Sequence, residues 1–354
     1  LDDGSYSEAS DGYADGSIKT FASSVQMADK IGINLGEQFT ERIHKNIYFY
    51  SAMRLPDFGL PGYGDSNPYN GKKTEDSLLL SVADLYQDEV LRYIGANGSR
   101  GGTKPDFTSS YYPDSKRVYM RSDWTNDALY LMTNIDNGYS SHGHKDDLSI
   151  VAWAYGDFVI TDTGRYNYTW SDPVNVELLS SQNHNTLGRI TDLSTNKVYM
   201  QDYSGEKDKA QVNSWATSYD FDYFSGNTKE EVYVSDTPMK TGYNRKILFV
   251  KPNYWIVSDV VEDREPEGKT DNKYDVMFHL QPGSNYVINN ENKTVKTDFA
   301  DTTNVQLLSP DADVEITREQ AIYAPQTGSY TTTDRIVFSK TKPADQAATF
   351  DTVI

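Results

Sequence analysis

The stretch Arg245-Lys-Ile-Leu-Phe-Val250-Lys-Pro-Asn-Tyr254-Trp-Ile-Val-Ser-Asp-Val260 decides the fold. Two runs rich in β-branched and aromatic residues, Ile247–Val250 and Trp255–Val260, flank the turn-forming Lys251-Pro252-Asn253. That pattern is a β-hairpin, and a hairpin makes the sheet around it antiparallel. Working outward, similar short segments recur at 117–124, 128–135, 148–163, 230–234, 274–280, 305–308 and 335–339, separated by turn residues. From about residue 109 to 354 the chain therefore reads as stacked antiparallel sheets, a β-sandwich domain.

Before residue 109 the period changes. Ile18, Phe21, Ala22, Val25 and Ala28 recur at helical spacing, as do Phe39, Ile43, Ile47 and Tyr50. Gly32 and Gly36 separate the two runs. A third helix is expected from Thr74, as N-cap, to Tyr93, ended by the glycines between 95 and 102. The linker 55–73 is rich in Gly, Pro and Asn and reads as an ordered functional loop. Three helices make a small domain by themselves. The expectation is that residues 1–108 close a larger helical domain whose beginning precedes Leu1.

Bulk composition bounds the function. The chain has 27 Tyr and many other rings, which a disordered segment would lack. A net charge of −19 argues against nucleic acid as the main partner, because phosphate neutralisation needs a basic face. The absence of Cys removes thiol catalysis, disulfides and thiolate-bound zinc. No run of about 18 apolar residues is present, so no membrane-spanning helix is expected. A bacterial secreted, periplasmic or cell-surface location is the expected one.

Only five His occur, and three lie between 142 and 184. The segment His142-Gly-His144-Lys-Asp-Asp-Leu-Ser149 is followed by Asp162 in Val-Ile-Thr-Asp-Thr-Gly and by His184 in Gln-Asn-His-Asn-Thr. Two imidazoles and a carboxylate, here His144, Asp162 and His184, form a borderline ligand set that suits one zinc ion. Each residue also has a bland reading: a hydrogen-bonded turn, an Asx-turn, a surface loop. Asp146 and Asp147 would either orient an imidazole or sit as solvated turn acids. His44 reads as a packing residue, and His279 as a strand residue facing a polar partner.

The block Met120-Arg-Ser-Asp-Trp124, the His142–Ser149 segment, Tyr155-Gly156, Asp162-Thr-Gly-Arg-Tyr166, His184-Asn-Thr and Phe249–Asp259 resembles the heparinase II/III-like polysaccharide lyases over most of the chain. The resemblance implies an α+β chain: the C-terminal part of an incomplete (α/α) toroid over 1–108, then stacked antiparallel sheets over 109–354. It implies β-elimination at a uronate of an acidic polysaccharide, a glycosaminoglycan such as heparan sulfate or an alginate-like polyuronate. Asp3-Gly-Ser-Tyr6-Ser-Glu8-Ala-Ser-Asp-Gly-Tyr13 is similar to the family's catalytic-loop ending. By that resemblance Tyr13 is the catalytic Tyr, with Tyr6 the lesser candidate and Glu8 beside it as a substrate contact. His142 would neutralise the uronate carboxylate, and the metal would be structural. Arg121 and Arg165 are candidate carboxylate or sulfate contacts, with a surface ion pair as the alternative. A uronyl C5-epimerase and a non-catalytic carbohydrate-binding protein stand as competing readings. If His142 and His144 divide their roles, the backbone around Gly143 must leave the regular strand.

Overall fold

Ser10 opens the first helix. Its backbone is extended, and its Oγ accepts the Tyr13 amide, one of the donors that the first turn leaves without an intrahelical partner. The computed structural model describes the chain except for residues 100, 136–141, 201–209, 229–231, 235–236, 240, 264–270 and 344. Helix α1 (Asp11–Lys30) buries Ala14, Ile18, Ala22, Val25 and Ala28, a stripe at i, i+3 and i+4. It packs on α2 (Glu37–Met53) through the inner face that carries Ile43, Ile47 and Tyr50.

The single helix expected from Thr74 to Tyr93 is instead two. Helix α3 (Ser77–Tyr86) is capped by Asp76, whose carboxylate accepts the amides of Leu78 and Leu79. Gln87 then turns left-handed at φ 52°, and Asp88 caps α4 (Glu89–Gly95) through the amides of Val90 and Leu91. Asp88 forms a stable start but is a poor interior residue, so the pattern breaks there. Among the described residues, no helix is long and apolar enough to cross a membrane.

The sheet region begins with a five-stranded antiparallel meander: β1 (Ser110–Tyr112), β2 (Arg117–Arg121), β3 (Tyr130–Asn134), β4 (Ile150–Ala154) and β5 (Asp157–Ile160). Strands β2, β3 and β4 are buried along their whole length. Their two faces differ in kind. Tyr119, Tyr130, Met132, Val151 and Trp153 pack against the helices. Val118, Met120, Leu131, Ile150 and Ala152 pack against the remaining sheets. Strand alternation thus makes the meander the middle layer of the molecule.

The hairpin forms the centre of an eight-stranded antiparallel sheet. Its strands, Thr241–Val250 and Tyr254–Asp263, are longer than expected and pair from Thr241↔Asp263 to Val250↔Tyr254. A second five-stranded sheet contains Leu187–Asp192, Asn272–His279 and Ser329–Lys342 and shares one core with the eight-stranded sheet and the meander. The α+β fold with stacked antiparallel sheets is as expected. Of the strand expected over 230–234, residues 230 and 231 lie outside the described residues, and Val232–Val234 pairs with Thr237–Met239.

Candidate active site and metal centre

The start of α1 and three irregular segments, the loop 55–73 and residues 142–149 and 162–172, meet where the helices face the sheets. The loop 55–73 reaches inward because Gly64 lets it. At φ 64° a Cβ there would stand 1.8 Å from the Ala9 carbonyl and 2.8 Å from that of His142, so no larger residue fits. The neighbouring Asp65 amide donates to the His142 carbonyl at 2.9 Å.

Residues 142–149 do leave the strand conformation, as the role division requires, without a left-handed backbone at Gly143. Their two imidazoles converge on one carboxylate. His142 Nδ1 lies 2.9 Å from Asp65 Oδ2, and His144 Nε2 lies 3.3 Å from Asp65 Oδ1. Burial pushes the Asp65 carboxyl up, but the hydrogen bonds from His144 and His142 and the nearby Arg165 outweigh it and hold it below the usual carboxylate range.

Tyr13, on the first turn of α1, lays its ring on His142 with centroids 3.9 Å apart and planes 17° apart. Its hydroxyl is 2.6 Å from that of Tyr168. Burial, and then the bond to Tyr13, push the Tyr168 phenol well above its ordinary range, and either hydroxyl of the pair can donate. The Arg165 guanidinium sits 4.0 Å over the Tyr168 ring and donates to Thr327. Its Nε and Nη1 have no hydrogen-bond partner. These groups enclose a recess of about 380 Å³ lined by Tyr13, Asp65, Asn67, Arg165 and Tyr168. A larger groove of about 640 Å³ beside the end of α1 is lined by Met27, Ile31, Ile33 and Leu35 and has one ionisable neighbour, Lys19, so it offers no comparable chemistry.

Behind the recess the donor set for a cation is buried. His144, Asp146 and His184 bring one ligand atom each to within 4.8 Å of one another. Each imidazole gives one nitrogen to a carboxylate: His144 Nε2 to Asp65, and His184 Nδ1 to Asp162 at 3.0 Å. The opposite nitrogens, His144 Nδ1 and His184 Nε2, are buried with no hydrogen-bond partner. Such a nitrogen is costly unless it binds something, and carboxylate-backed imidazoles are the usual metal donors. Burial, only partly offset by Asp65, lowers the His144 pKa and favours the neutral form that a metal requires. The residues present therefore fit a divalent ion. The cluster includes Asp146, which the sequence reading left outside the ligand set, while Asp162, expected as a ligand, lies 3.0 Å from His184 Nδ1.

From the sheet below, Arg245 braces this centre. It is fully buried, grips Asp259 with Nε and Nη2 at 2.6 and 2.9 Å, and donates through Nη1 to the carbonyls of Leu148 and Asn185. Those carbonyls flank the 142–149 segment and His184.

The other expected residues fall elsewhere. Arg121 is a correction: it is buried between the rings of Trp124 and Tyr130 and donates to the Arg54 carbonyl, because β2 is covered on both faces. It cannot touch a substrate, and it is no surface ion pair. Tyr6 bonds Glu8 and Ser17 on the flank of α1, outside the recess. His44 pairs with Asp88 and stacks on Tyr86. His279 is buried and bonded to Asn185. Asp65 and Tyr168 were not singled out in the sequence. The Gly- and Pro-rich loop pointed to the first without naming it, and nothing distinguished the second from the other Tyr residues.

Comparison with known proteins decides the family. The model described as "Heparinase II/III-like, C-terminal" matches residues 109–350, and that of the "Heparinase II/III N-terminus" matches 1–93. The chain belongs to the heparinase II/III-like family. Among characterised relatives, it is 21% identical over 308 residues to a heparin-sulfate lyase of Bacteroides stercoris, covering 86% of this chain and 43% of that protein. A heparin-sulfate lyase of Pedobacter heparinus is 20% identical over 314 residues, covering 88% and 44%. The chain thus spans less than half the length of these relatives. A crystal structure of a heparan sulfate lyase from Pedobacter heparinus superposes with a TM-score of 0.82 at 19% identity, covering all of this chain and 53% of that one. A heparinase III structure superposes at 0.81 and 20% identity, covering all of this chain and 52% of that one. These likenesses establish the heparinase II/III-like fold.

Proposed function

We propose that this protein is a polysaccharide lyase that cleaves a uronate-containing glycosaminoglycan by β-elimination. The observation that carries the reading is Tyr13, whose ring stacks on His142 and whose hydroxyl bonds Tyr168, in the lining of a recess that also holds Arg165. The heparin-sulfate lyases among its relatives support the substrate class. Within that class heparan sulfate is the first candidate, and an alginate-like polyuronate, outside that class, ranks behind it.

The chemistry follows from the groups present. The C5 proton of a uronate is weakly acidic while the adjacent carboxylate keeps its charge. His142 and Arg165 supply donors and positive charge to that carboxylate, and so stabilise the enolate-like charge that develops. Tyr13 takes the C5 proton, the C4–O bond breaks, and a C4=C5 double bond forms. The phenol then returns its proton to the departing sugar oxygen. An unperturbed phenol near pKa 10 is a poor base at neutral pH, so a donor to its oxygen is needed, and Tyr168 stands in that place.

His144, Asp146 and His184 would hold one divalent ion, with zinc the best match to two imidazoles and a carboxylate. When bound, it supplies a fixed cross-link between the 142–149 segment and His184. A polymeric substrate fits a secreted, periplasmic or cell-surface location.

The test is a panel of heparan sulfate, hyaluronan, chondroitin, alginate and glucuronan followed by ultraviolet absorbance, since the unsaturated uronate absorbs and its precursor does not. Gain on a glycosaminoglycan, abolished in Tyr13→Phe with unchanged circular dichroism, is the expected result. Full activity in Tyr13→Phe refutes the assignment. C5 inversion without absorbance gain would instead identify an epimerase, and binding without either reaction a carbohydrate-binding protein.

A further inference from the structure

Asp65 is an unusual carboxylate. It lies on neither helix nor strand, yet it touches two imidazoles of different employment. Its Oδ2 meets His142 Nδ1 at 2.9 Å and its Oδ1 meets His144 Nε2 at 3.3 Å. Its own amide fastens the loop to the His142 carbonyl at 2.9 Å. Glycine at position 64 permits this approach. On the outer side, His142 carries the Tyr13 ring. On the inner side, the remaining nitrogen of His144 is buried without a hydrogen-bond partner beside Asp146 and His184.

A carboxylate that accepts from two rings sets both of them. It requires Nε2–H on His144, which turns the Nδ1 lone pair toward the cation centre, and Nδ1–H on His142. We infer that Asp65 is the positioning residue that couples the metal centre to the active-site imidazole: occupation of the centre fixes His144, Asp65 transmits that orientation, and His142 is thereby held under Tyr13. The inference rests on the proposed metal set and deepens it. The metal then matters to the reaction through an arm of two hydrogen bonds, without touching the substrate. An amide at 65 would break the arm, because it offers one acceptor oxygen where the carboxylate offers two.

The experiment uses the whole protein with ¹⁵N-labelled imidazoles. With five His in the chain the spectrum is small, and His142→Gln identifies the His142 signals. Zinc is added to chelator-stripped protein. In the wild type, about one zinc per chain binds, the His144 and His184 nitrogens shift, and the His142 Nδ1 signal moves with them. In Asp65→Asn, zinc affinity falls roughly 10- to 100-fold, the usual cost of losing an orienting partner behind a metal ligand. At saturating zinc in that variant, His142 no longer follows the metal. Asp65→Glu, which keeps two acceptor oxygens, restores part of the response.

A wild-type His142 blind to bound zinc overturns the inference, and so does a wild type that binds no zinc. An Asp65→Asn variant unchanged in both readouts also overturns it. If that variant does not fold, the wild-type titration still decides. The spectra are independent of turnover. A zinc-responsive His142 in a protein inert on the whole polysaccharide panel defeats the lyase reading alone, and an active lyase with a zinc-blind His142 defeats this inference alone.

Discussion

Replacing Arg245 tests how the sheet holds the site. The side chain is fully buried, and every group that it meets is fixed: the Asp259 carboxylate at Nε and Nη2, and the Leu148 and Asn185 carbonyls at Nη1. In Arg245→Met, Asp259 keeps only the Tyr243 hydroxyl at 3.0 Å, and both carbonyls lose this donor. Breaking one side of a buried ion pair costs about 3–5 kcal/mol, because the remaining charge stays out of water. With an unfolding entropy of about 2.1 cal/mol/K per residue over 354 residues, 4 kcal/mol lowers the melting temperature by about 5 °C.

Calorimetry on the metal-free protein reads this directly. Metal titration by calorimetry reads the second consequence, a weaker centre, since Asn185 follows the donor His184 in the chain. The double variant Arg245→Met with Asp259→Leu removes both charges and is expected to regain most of the lost stability. A loss under about 1 kcal/mol in the single variant would refute the brace, this being the range of an exposed pair. A double variant as unstable as the single would refute the charge argument.

Other outcomes follow from the same geometry. Asp146→Asn is expected to drop bound metal well below one ion per chain, whereas Asp162→Asn keeps the stoichiometry and loses roughly 10- to 100-fold in affinity; the reverse result on metal analysis would return Asp162 to the ligand set. Gly64→Ala forces a left-handed Ala, at about 1–2 kcal/mol, and drives a Cβ into the Ala9 carbonyl, so lyase activity should fall more than the melting temperature suggests, and an unaltered rate would count against the role of the loop. Burial raises the Asp11 carboxyl to about 6 despite Arg117 beside it. The fold therefore favours the protonated form: this contribution is full below the unfolded value near 4 and is lost as pH rises through 6. Urea midpoints of wild type and Asp11→Asn should diverge over that interval, and parallel curves would refute the shift.

The sequence carried the sheet layers well and the site unevenly, for identifiable reasons. Alternation and β-branched runs report local backbone geometry, so the hairpin at 245–260 and the segments that become β2–β4 were legible as strands, though not that β2–β4 are buried on both faces. The α3–α4 break was not legible, because a left-handed Gln87 has no signature and Thr74 is as good a cap on paper as Asp76. His144 and His184 stood out because imidazoles are few. Asp65 did not, since 77 residues separate it from His142 and only the loop's fold brings them together. Tyr168 lies 155 residues from Tyr13, with the same difficulty. Arg121 misled because an Arg on a strand looks the same in sequence whether its strand faces solvent or, as here, is covered twice.

The net charge of −19 then has to be reconciled with an acidic substrate. Around the recess the carboxylates are already engaged. Asp65 serves two imidazoles, Asp162 holds His184, Asp11 lies 3.8 Å from the Arg117 guanidinium, and Asp259 is gripped by Arg245. The recess itself is lined by Tyr13, Asn67, Arg165 and Tyr168 beside the already engaged Asp65, so the charge it presents beyond that pairing is the Arg165 guanidinium. Charges on the distant surface are screened beyond a Debye length of about 8 Å at physiological salt. The global charge therefore governs approach at low ionic strength, and the local pairing governs binding. The same pairing that silences the buried acids also orients the imidazoles, so the electrostatics that admit an anion and the geometry that holds a cation behind it arise from one set of contacts.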